Sequence, residues 1–566
     1  MPPAIRYLRD RLASADRGQL TRVGLLACLH LSAFAILLST ESDPAAQLAF
    51  VLTWGALNFF WLALLRRPLT SAALSLALIV LLIMLSQLKQ SIVMMTATFV
   101  DVMIIDFATF SFLMTIIPGL AWKTGFALAS AILFLVLLWR LEPFRIRRTI
   151  ALAGCLLCLT ALFGLSLAVP ADRENEFDRD QYVSKFARSA AVGAVELATR
   201  GVLEADASIP ERASLALGTT CHPGGKPPHI IMVFDESSFD ATMMPNVTVP
   251  ADYRERFRSS DGRIRSFVVE GAGGPSWYTE YNVLAGLSVR SYGRFAESVT
   301  RLAGGRVERG LPHVLKACGY ATYSIYSWFG AFVGARAFHT TTGIEHFIDA
   351  KQLGTRVAEP DRFYYDHTID VIARARANRP VFVFVYLAAN HFAWNYRYRP
   401  DLLPGWTNTG NPFEIDEYLR RQQMSVQDYA EFKERLAREF PDERFFIVRF
   451  GDHQPFFARR FIDPTLDETQ VAAHIRARDP RYFTTYYATD GVNFSPLDLS
   501  SALDTLDAPY LPLVVLEGAG LPLDPSFAEQ KKILSRCRGM FYLCGQGAEA
   551  RRFNRLLINA GLIHGF

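Results

Sequence analysis

"HIIMVFDESSFD" occupies residues 229–240. Its first half is a short, near-continuous apolar run, and its second half turns acidic without transition. That is the pattern of a strand buried on both faces that ends in a polar turn. The same pattern recurs. "VFVFVYLA" (381–388) runs into Ala389-Asn390-His391-Phe392, and "FFIVRF" (445–450) runs into Gly451-Asp452-His453-Gln454-Pro455. "ATYSIY" (321–326) and "LPLVVLE" (511–517) are read as two further strands. Helical stretches separate these runs, which predicts an α/β domain with a mostly parallel central sheet covered on both faces. Such sheets bind ligands at the carboxyl ends of their strands. Those ends are where the acidic and imidazole groups fall.

Glu236, Asp452 and His453 make a candidate metal site, because carboxylate and imidazole together suit Zn²⁺ or Mn²⁺. Either ligand alone is more often structural, but three strands ending alike point to a joint site. His391 is the candidate at the third strand end. Residues 271–287 read "GAGGPSWYTEYNVLAGL", a glycine-proline turn followed by a helix beginning near Ser276. A hydroxyl there caps a helix. It also stands where free N–H groups meet an anion, and a metal beside it would activate it as a nucleophile. Thr279, one turn further in, is the rival.

The remainder of the chain bounds this reading. Of 566 residues, 51% are hydrophobic and the net charge is +4, too little to argue for a nucleic-acid partner. The hydrophobicity is concentrated in the first 170 residues, where segments 23–40, 46–65, 69–88, 120–139 and 149–169 each approach the length of a bilayer-spanning helix. Arg6, Arg9, Arg11, Arg17 and Arg22 precede the first span. Arg66 and Arg67 follow the second, and Arg140, Arg145, Arg147 and Arg148 follow the fourth. The opposite loops offer only Lys89 and Lys123. This asymmetry places the N-terminus in the cytoplasm and everything after about residue 170 outside. Residues 92–117 are apolar but hold Asp101 and Asp106, and are read as re-entrant or surface-lying; a sixth span would reverse the charge pattern. The two carboxylates are solvated at the interface or help admit a lipid headgroup. The expected organisation is a transmembrane domain over 1–170, a helical linker over 171–225 and an extracytoplasmic catalytic domain over 226–566. Cys221, Cys318, Cys537 and Cys544 lie in the soluble part. They allow two disulfides outside the cytoplasm, with Cys537–Cys544 favoured by its short loop, or four buried thiols.

The stretches "FDESSFD", "GGPSW" and "RFGDHQPF", with five spans ahead of them, resemble the sulfatase-like lipid-headgroup transferases of the alkaline phosphatase superfamily. This family includes lipoteichoic acid synthase and the phosphoglycerol and phosphoethanolamine transferases. The resemblance implies that Glu236, Asp452, His453 and Ser276 hold one divalent metal ion. It makes Ser276 the nucleophile that becomes phosphorylated and His391 a proton donor or phosphate contact. Arg336 would be the substrate-phosphate arginine, with Trp328 and His339 as further substrate contacts. It implies an enzyme that moves a phospholipid headgroup, phosphoglycerol preferred and phosphoethanolamine the other choice, to an envelope glycan or lipid acceptor. The alternative is a membrane-anchored phosphodiesterase or sulfuric-ester hydrolase. The expected location is the bacterial inner membrane with the catalytic domain in the periplasm. Two departures stand out. The family relatives carry threonine where this chain has Ser276. The sulfatase sequence of Cys or Ser followed by x-Pro-x-Arg is also absent, since Trp277, Tyr278 and Thr279 follow Ser276, and this argues against sulfatase activity.

Overall fold

In a computed structural model of the chain, residues 17–93, 95–104, 113–114, 119–143, 145–169, 180–210, 215, 221 and 225–565 are described. The chain divides into two compact units, Met1–Thr199 and Arg200–Phe566.

The first unit is helical. Five helices, α1 (Arg17–Thr40), α2 (Pro44–Leu65), α3 (Pro68–Val93), α4 (Leu120–Leu141) and α5 (Arg148–Ala168), are long and apolar enough to cross a membrane. Their outer faces leave large apolar groups uncovered, such as Leu31 (66% exposed), Phe126 (71%) and Leu157 (70%), which lipid tolerates and water does not. Proline opens both α2 and α3, where its missing N–H costs nothing. Asp43 caps α2 by accepting from the Ala46 N–H at 2.9 Å. Glu142, distant in sequence, caps α3 by accepting from the N–H groups of Leu69 and Thr70 at 2.5 and 2.8 Å. A sixth helix, α6 (Tyr182–Arg200), falls in the expected linker but packs within this unit. Its Val183 is buried with Leu37, Phe50 and Ile79, and Ser184 Oγ donates to Glu41 at 2.6 Å. Within the segment 92–117, Phe99–Ile104 is a short helix. Asp101 there is paired with Lys89 at 2.9 Å and accepts from the Thr98 N–H, so its charge is met by protein. Asp106 lies outside the described residues.

The second unit is built on one eight-stranded sheet of order β4-β3-β5-β1-β6-β7-β2-β8. The strands are β1 (His229–Asp235), β2 (Arg265–Val268), β3 (Ala321–Ile325), β4 (His346–Ile348), β5 (Val381–Tyr386), β6 (Phe445–Gly451), β7 (Thr484–Val492) and β8 (Thr505–Asp507). Only the β6–β7 and β7–β2 pairings are antiparallel, so the expected mostly parallel sheet is present. β5, β1 and β6 are neighbours in register, Val233 lying between Val385 and Arg449, and this brings the three polar strand ends side by side. Helices α8 (Asp361–Ala375) and α9 (Phe413–Glu439) cover one face, where Ile231, Val233, Val383, Ile447 and Phe432 form a closed core.

"LPLVVLE" is a helix, not a strand: it forms α10 (Leu511–Gly518), all of whose residues are buried. A fully buried helix of two turns has no polar face, so its sequence carries no period that tells it from a buried strand. Gly518 ends it against the ring of Phe446, with no room for a side chain. Cysteine pairing is complete in this unit: Cys221–Cys318 and Cys537–Cys544 are both bonded.

Candidate metal and phosphoryl-transfer site

At the carboxyl ends of β1 and β6 the chain brings together Glu236, Asp452 and His453, all buried, with ligand atoms within 4.8 Å of one another. Helix α7 (Ser276–Ala285) delivers the fourth group. Ser276 Oγ donates to Glu236 Oε2 at 3.2 Å and lies 3.1 Å from His453 Nε2. The helix is capped at Pro275 and Ser276 makes no capping hydrogen bond, so the hydroxyl faces the cluster and the cap reading is set aside. Thr279 is fully buried and its hydroxyl is committed to the Asp452 carbonyl at 2.7 Å. Of the two candidate nucleophiles, only Ser276 meets the carboxylates.

Two backbone features make this convergence fit. Gly451 stands where the β1 turn crosses β6, and a Cβ there would lie 1.8 Å from the Ser238 carbonyl oxygen. Ser237 takes a left-handed φ of 52°, a conformation that costs a non-glycine residue about 1–3 kcal/mol. Its own bonds hold it there: its N–H donates to Asp452 Oδ1 at 2.7 Å, its hydroxyl donates to Glu236 Oε1 at 2.7 Å, and its carbonyl accepts from Tyr418 at 3.0 Å. The strained residue thereby ties the two carboxylates to each other's strand.

The donor set fits a divalent cation. Asp452 Oδ1 accepts from two backbone N–H groups, while the buried Oδ2 turns into the cluster, 3.2 Å from His453 Nε2. Burial, with the Glu236 charge added, pushes the Asp452 carboxyl well above the usual carboxylate range. Two such acids side by side need a proton or a cation between them. His453 Nδ1 lies 2.8 Å from the Gln454 carbonyl, which fixes the proton there and leaves Nε2 as a lone pair facing the cluster. Burial pushes this imidazole below its ordinary value, favouring the neutral form that a metal takes.

Tyr386, at the end of β5, did not stand out in the sequence. Its hydroxyl donates to Glu236 Oε2 at 2.6 Å, and its ring lies 4.4 Å from that of Phe234 and 5.2 Å from that of Tyr326. With Ser237 on the other oxygen, it fixes how Glu236 presents itself. Tyr386→Phe keeps the packing and removes only the bond. We expect it to weaken Mn²⁺ or Zn²⁺ binding about 10- to 100-fold, read by calorimetric titration, with little change in the apo-protein's melting midpoint.

His391 is half-buried beside the cluster, near enough for its charge to bear on both Glu236 and His453. Its Nδ1 is 2.9 Å from the Phe392 carbonyl, and Arg421, buried and paired with Glu417, holds its backbone carbonyl at 2.7 Å. The three other candidates are placed differently. The Arg336 guanidinium is occupied by Asp349 Oδ2 at 2.7 Å, the Phe347 carbonyl and Gln352. Trp328 is half-buried, ring-edge to Phe329, and its carbonyl accepts from Ala350. His339 is fully buried among Tyr326, Phe347 and Phe384, 3.0 Å from Glu280 Oε2, where no solvent-borne substrate reaches it.

Residues 279–471 match the family model described as Sulfatase. This stretch is a sulfatase-family domain. The match spans Asp452, His453 and His391, and the family is one of enzymes, as expected from the sequence. Among solved structures, the chain is similar to the phosphoglycerol transferase GacH of Streptococcus pyogenes in complex with sn-glycerol-1-phosphate. That likeness is 12% identical, covers 63% of this chain and 94% of the other, and has a TM-score of 0.47. The lipooligosaccharide phosphoethanolamine transferase A (EptA) of Neisseria meningitidis, an integral membrane protein, is 12% identical over 85% of this chain and 96% of its own, with a TM-score of 0.44. The lipoteichoic acid synthase LtaP of Listeria monocytogenes is 14% identical over 58% and 78%, with a TM-score of 0.38. No curated protein matches the chain.

Proposed function

We propose that the chain is a metal-dependent transferase of phospholipid headgroups, phosphoglycerol in preference to phosphoethanolamine, acting through a phospho-serine intermediate at Ser276. The observation that carries this reading is the hydroxyl of Ser276 aimed into two buried carboxylates and an imidazole. A hydrolase using water alone would also fit the cluster, so the acceptor is what separates the two.

Glu236, Asp452, His453 and Ser276 would hold one Mn²⁺ or Zn²⁺ ion, which when bound neutralises phosphoryl oxygens and lowers the serine pKa. The protein's own groups do the rest. Ser276 Oγ attacks phosphorus as its proton passes to Glu236 Oε2, 3.2 Å away. The diacylglycerol oxygen leaves and takes a proton from His391, whose Nε2 has no hydrogen-bond partner among the described residues. An acceptor hydroxyl then attacks the phospho-serine. His391 receives the acceptor's proton, and Ser276 is released as its oxygen takes back the proton held by Glu236 Oε2. The α7 N-terminus adds the positive end of its helix dipole, which favours the phosphoryl negative charge.

Five apolar helices on the same chain suit a donor confined to a bilayer. The arginine asymmetry puts the catalytic unit outside the cytoplasm, in the periplasm of a Gram-negative cell, with an envelope glycan or lipid as acceptor. The test is release of diacylglycerol from phosphatidylglycerol by the purified full chain with Mn²⁺, with and without a periplasmic glucan. Glycerol phosphate recovered on the glucan supports transfer, and free glycerol phosphate alone would make it a hydrolase. Release of no diacylglycerol at all would remove the headgroup reading.

A further inference from the structure

On the α8–α9 side of the sheet a half-open cleft of about 270 Å³ lies between α9 and the turn of residues Tyr253–Phe257. Its floor is the carboxyl end of β1, at Val233 and Asp235, one residue before the cluster's Glu236. Asp235 and Glu236 are engaged on different partners: Asp235 accepts from Tyr486 at 2.6 Å, Glu236 from Tyr386. The cleft is thus a separate cavity from the Ser276 site.

Four acidic and four basic side chains line it, so net charge decides nothing and pairing decides everything. Glu255 is taken by Arg258 and Asp490 by Arg449, at 2.6 and 3.2 Å, and Asp252 is exposed on the outer rim. Arg256 and Lys433 remain. Both are partly exposed, and among the described residues neither has an acidic partner or a side-chain hydrogen bond. Their cationic heads rest only on rings, Phe257 at 5.3 Å and Tyr429 at 5.1 Å. The contrast with their neighbours is sharp: Arg254 is paired with Asp240 and Arg435 with Glu439, each at 2.9 Å. Deeper in, Ser425 lines the wall at 6% exposure, its hydroxyl beside the buried Asp361 carboxyl.

We propose that this cleft is a second ligand site for a small phosphate ester. Its phosphate lies between Arg256 and Lys433, and a hydroxyl or ammonium at its other end points down to Asp235 and Ser425. Charge is separated along the cleft, cations at the mouth and carboxylate at the floor, and an ester of this kind carries the complementary polarity. The same chemistry occurs as a free phosphate monoester and as a phospholipid headgroup.

Equilibrium dialysis of the full chain in detergent, with radiolabelled sn-glycerol 3-phosphate, tests it. Asp452→Asn, which disables the cluster, should still bind one ligand per chain. Adding Arg256→Ala and Lys433→Ala should weaken that binding at least about tenfold without moving the melting midpoint, since neither side chain holds another. Ser425→Ala should weaken glycerol phosphate more than inorganic phosphate. Phosphoethanolamine in competition reports whether the floor takes ammonium as well as hydroxyl. Competition by short-chain phosphatidylglycerol below its micellar concentration would assign the ligand to the lipid pool, and its failure to free esters. No binding to Asp452→Asn, or binding indifferent to loss of both cations, would overturn the proposal.

Discussion

Ser276→Ala should abolish turnover while leaving the fold intact. Loss of a covalent nucleophile typically costs on the order of 10⁴–10⁶ in rate, because the remaining groups stabilise a transition state that no longer has an attacking oxygen. The measurement is diacylglycerol release under single-turnover conditions, with intact-protein mass spectrometry after lipid exposure. Wild type should gain the mass of the phospho-headgroup on the α7 peptide, and Ser276→Ala should gain nothing. Thr279 provides the control. Its hydroxyl is spent on the Asp452 carbonyl in a fully buried position, so Thr279→Val should still form the adduct. What it loses is stability, about 1–3 kcal/mol, because the carbonyl is left unmet. An adduct that survives Ser276→Ala and disappears in Thr279→Val would exchange the two roles.

How much of this site was legible follows from where each signal lies. Glu236, Asp452 and His453 each follow an apolar run, and parallel strands that neighbour one another bring their ends together, so the run-then-acid pattern was enough. Ser276 was legible as a hydroxyl after a glycine-proline turn, although two readings of that hydroxyl stood open until its bonds to Glu236 and His453 were seen. Tyr386 was hidden because it ends a strand of aromatics, "VFVFVY", in which nothing local marks one ring as bearing a buried bond. Ser237 was hidden for another reason: its left-handed backbone is imposed by partners from β6 and α9, far along the chain. Arg336 shows the opposite failure. A basic residue at a suggestive place in sequence has an acid, Asp349, waiting for it thirteen positions later. Among the strands, β2, β4 and β8 have three or four residues and sit at or near sheet edges, too short for any periodicity to declare them.

The second large effect is expected in Asp452→Asn, and its sign is unusual for a buried polar substitution. The apo protein carries two buried carboxylates with no cation between them, and burial together with the Glu236 charge already pushes the Asp452 carboxyl upward. Asparagine keeps an oxygen for the Ser237 and His453 N–H groups and removes the charge. The apo variant should therefore melt no lower than apo wild type. Metal should reverse the order. A ligand at 100 times its Kd adds about 2.7 kcal/mol, roughly 3–6 °C for a unit of this size, to wild type. Asp452→Asn has lost a ligand and should respond by less than about 1 °C. Glu236→Gln should behave likewise but start lower, because its amide nitrogen would face the donating hydroxyls of Tyr386 or Ser237. Differential scanning calorimetry of EDTA-stripped protein, with Mn²⁺ and Zn²⁺ added back, gives each of these comparisons. An undiminished metal response in Asp452→Asn would place the ion elsewhere, and the transfer chemistry built on this cluster would go with it.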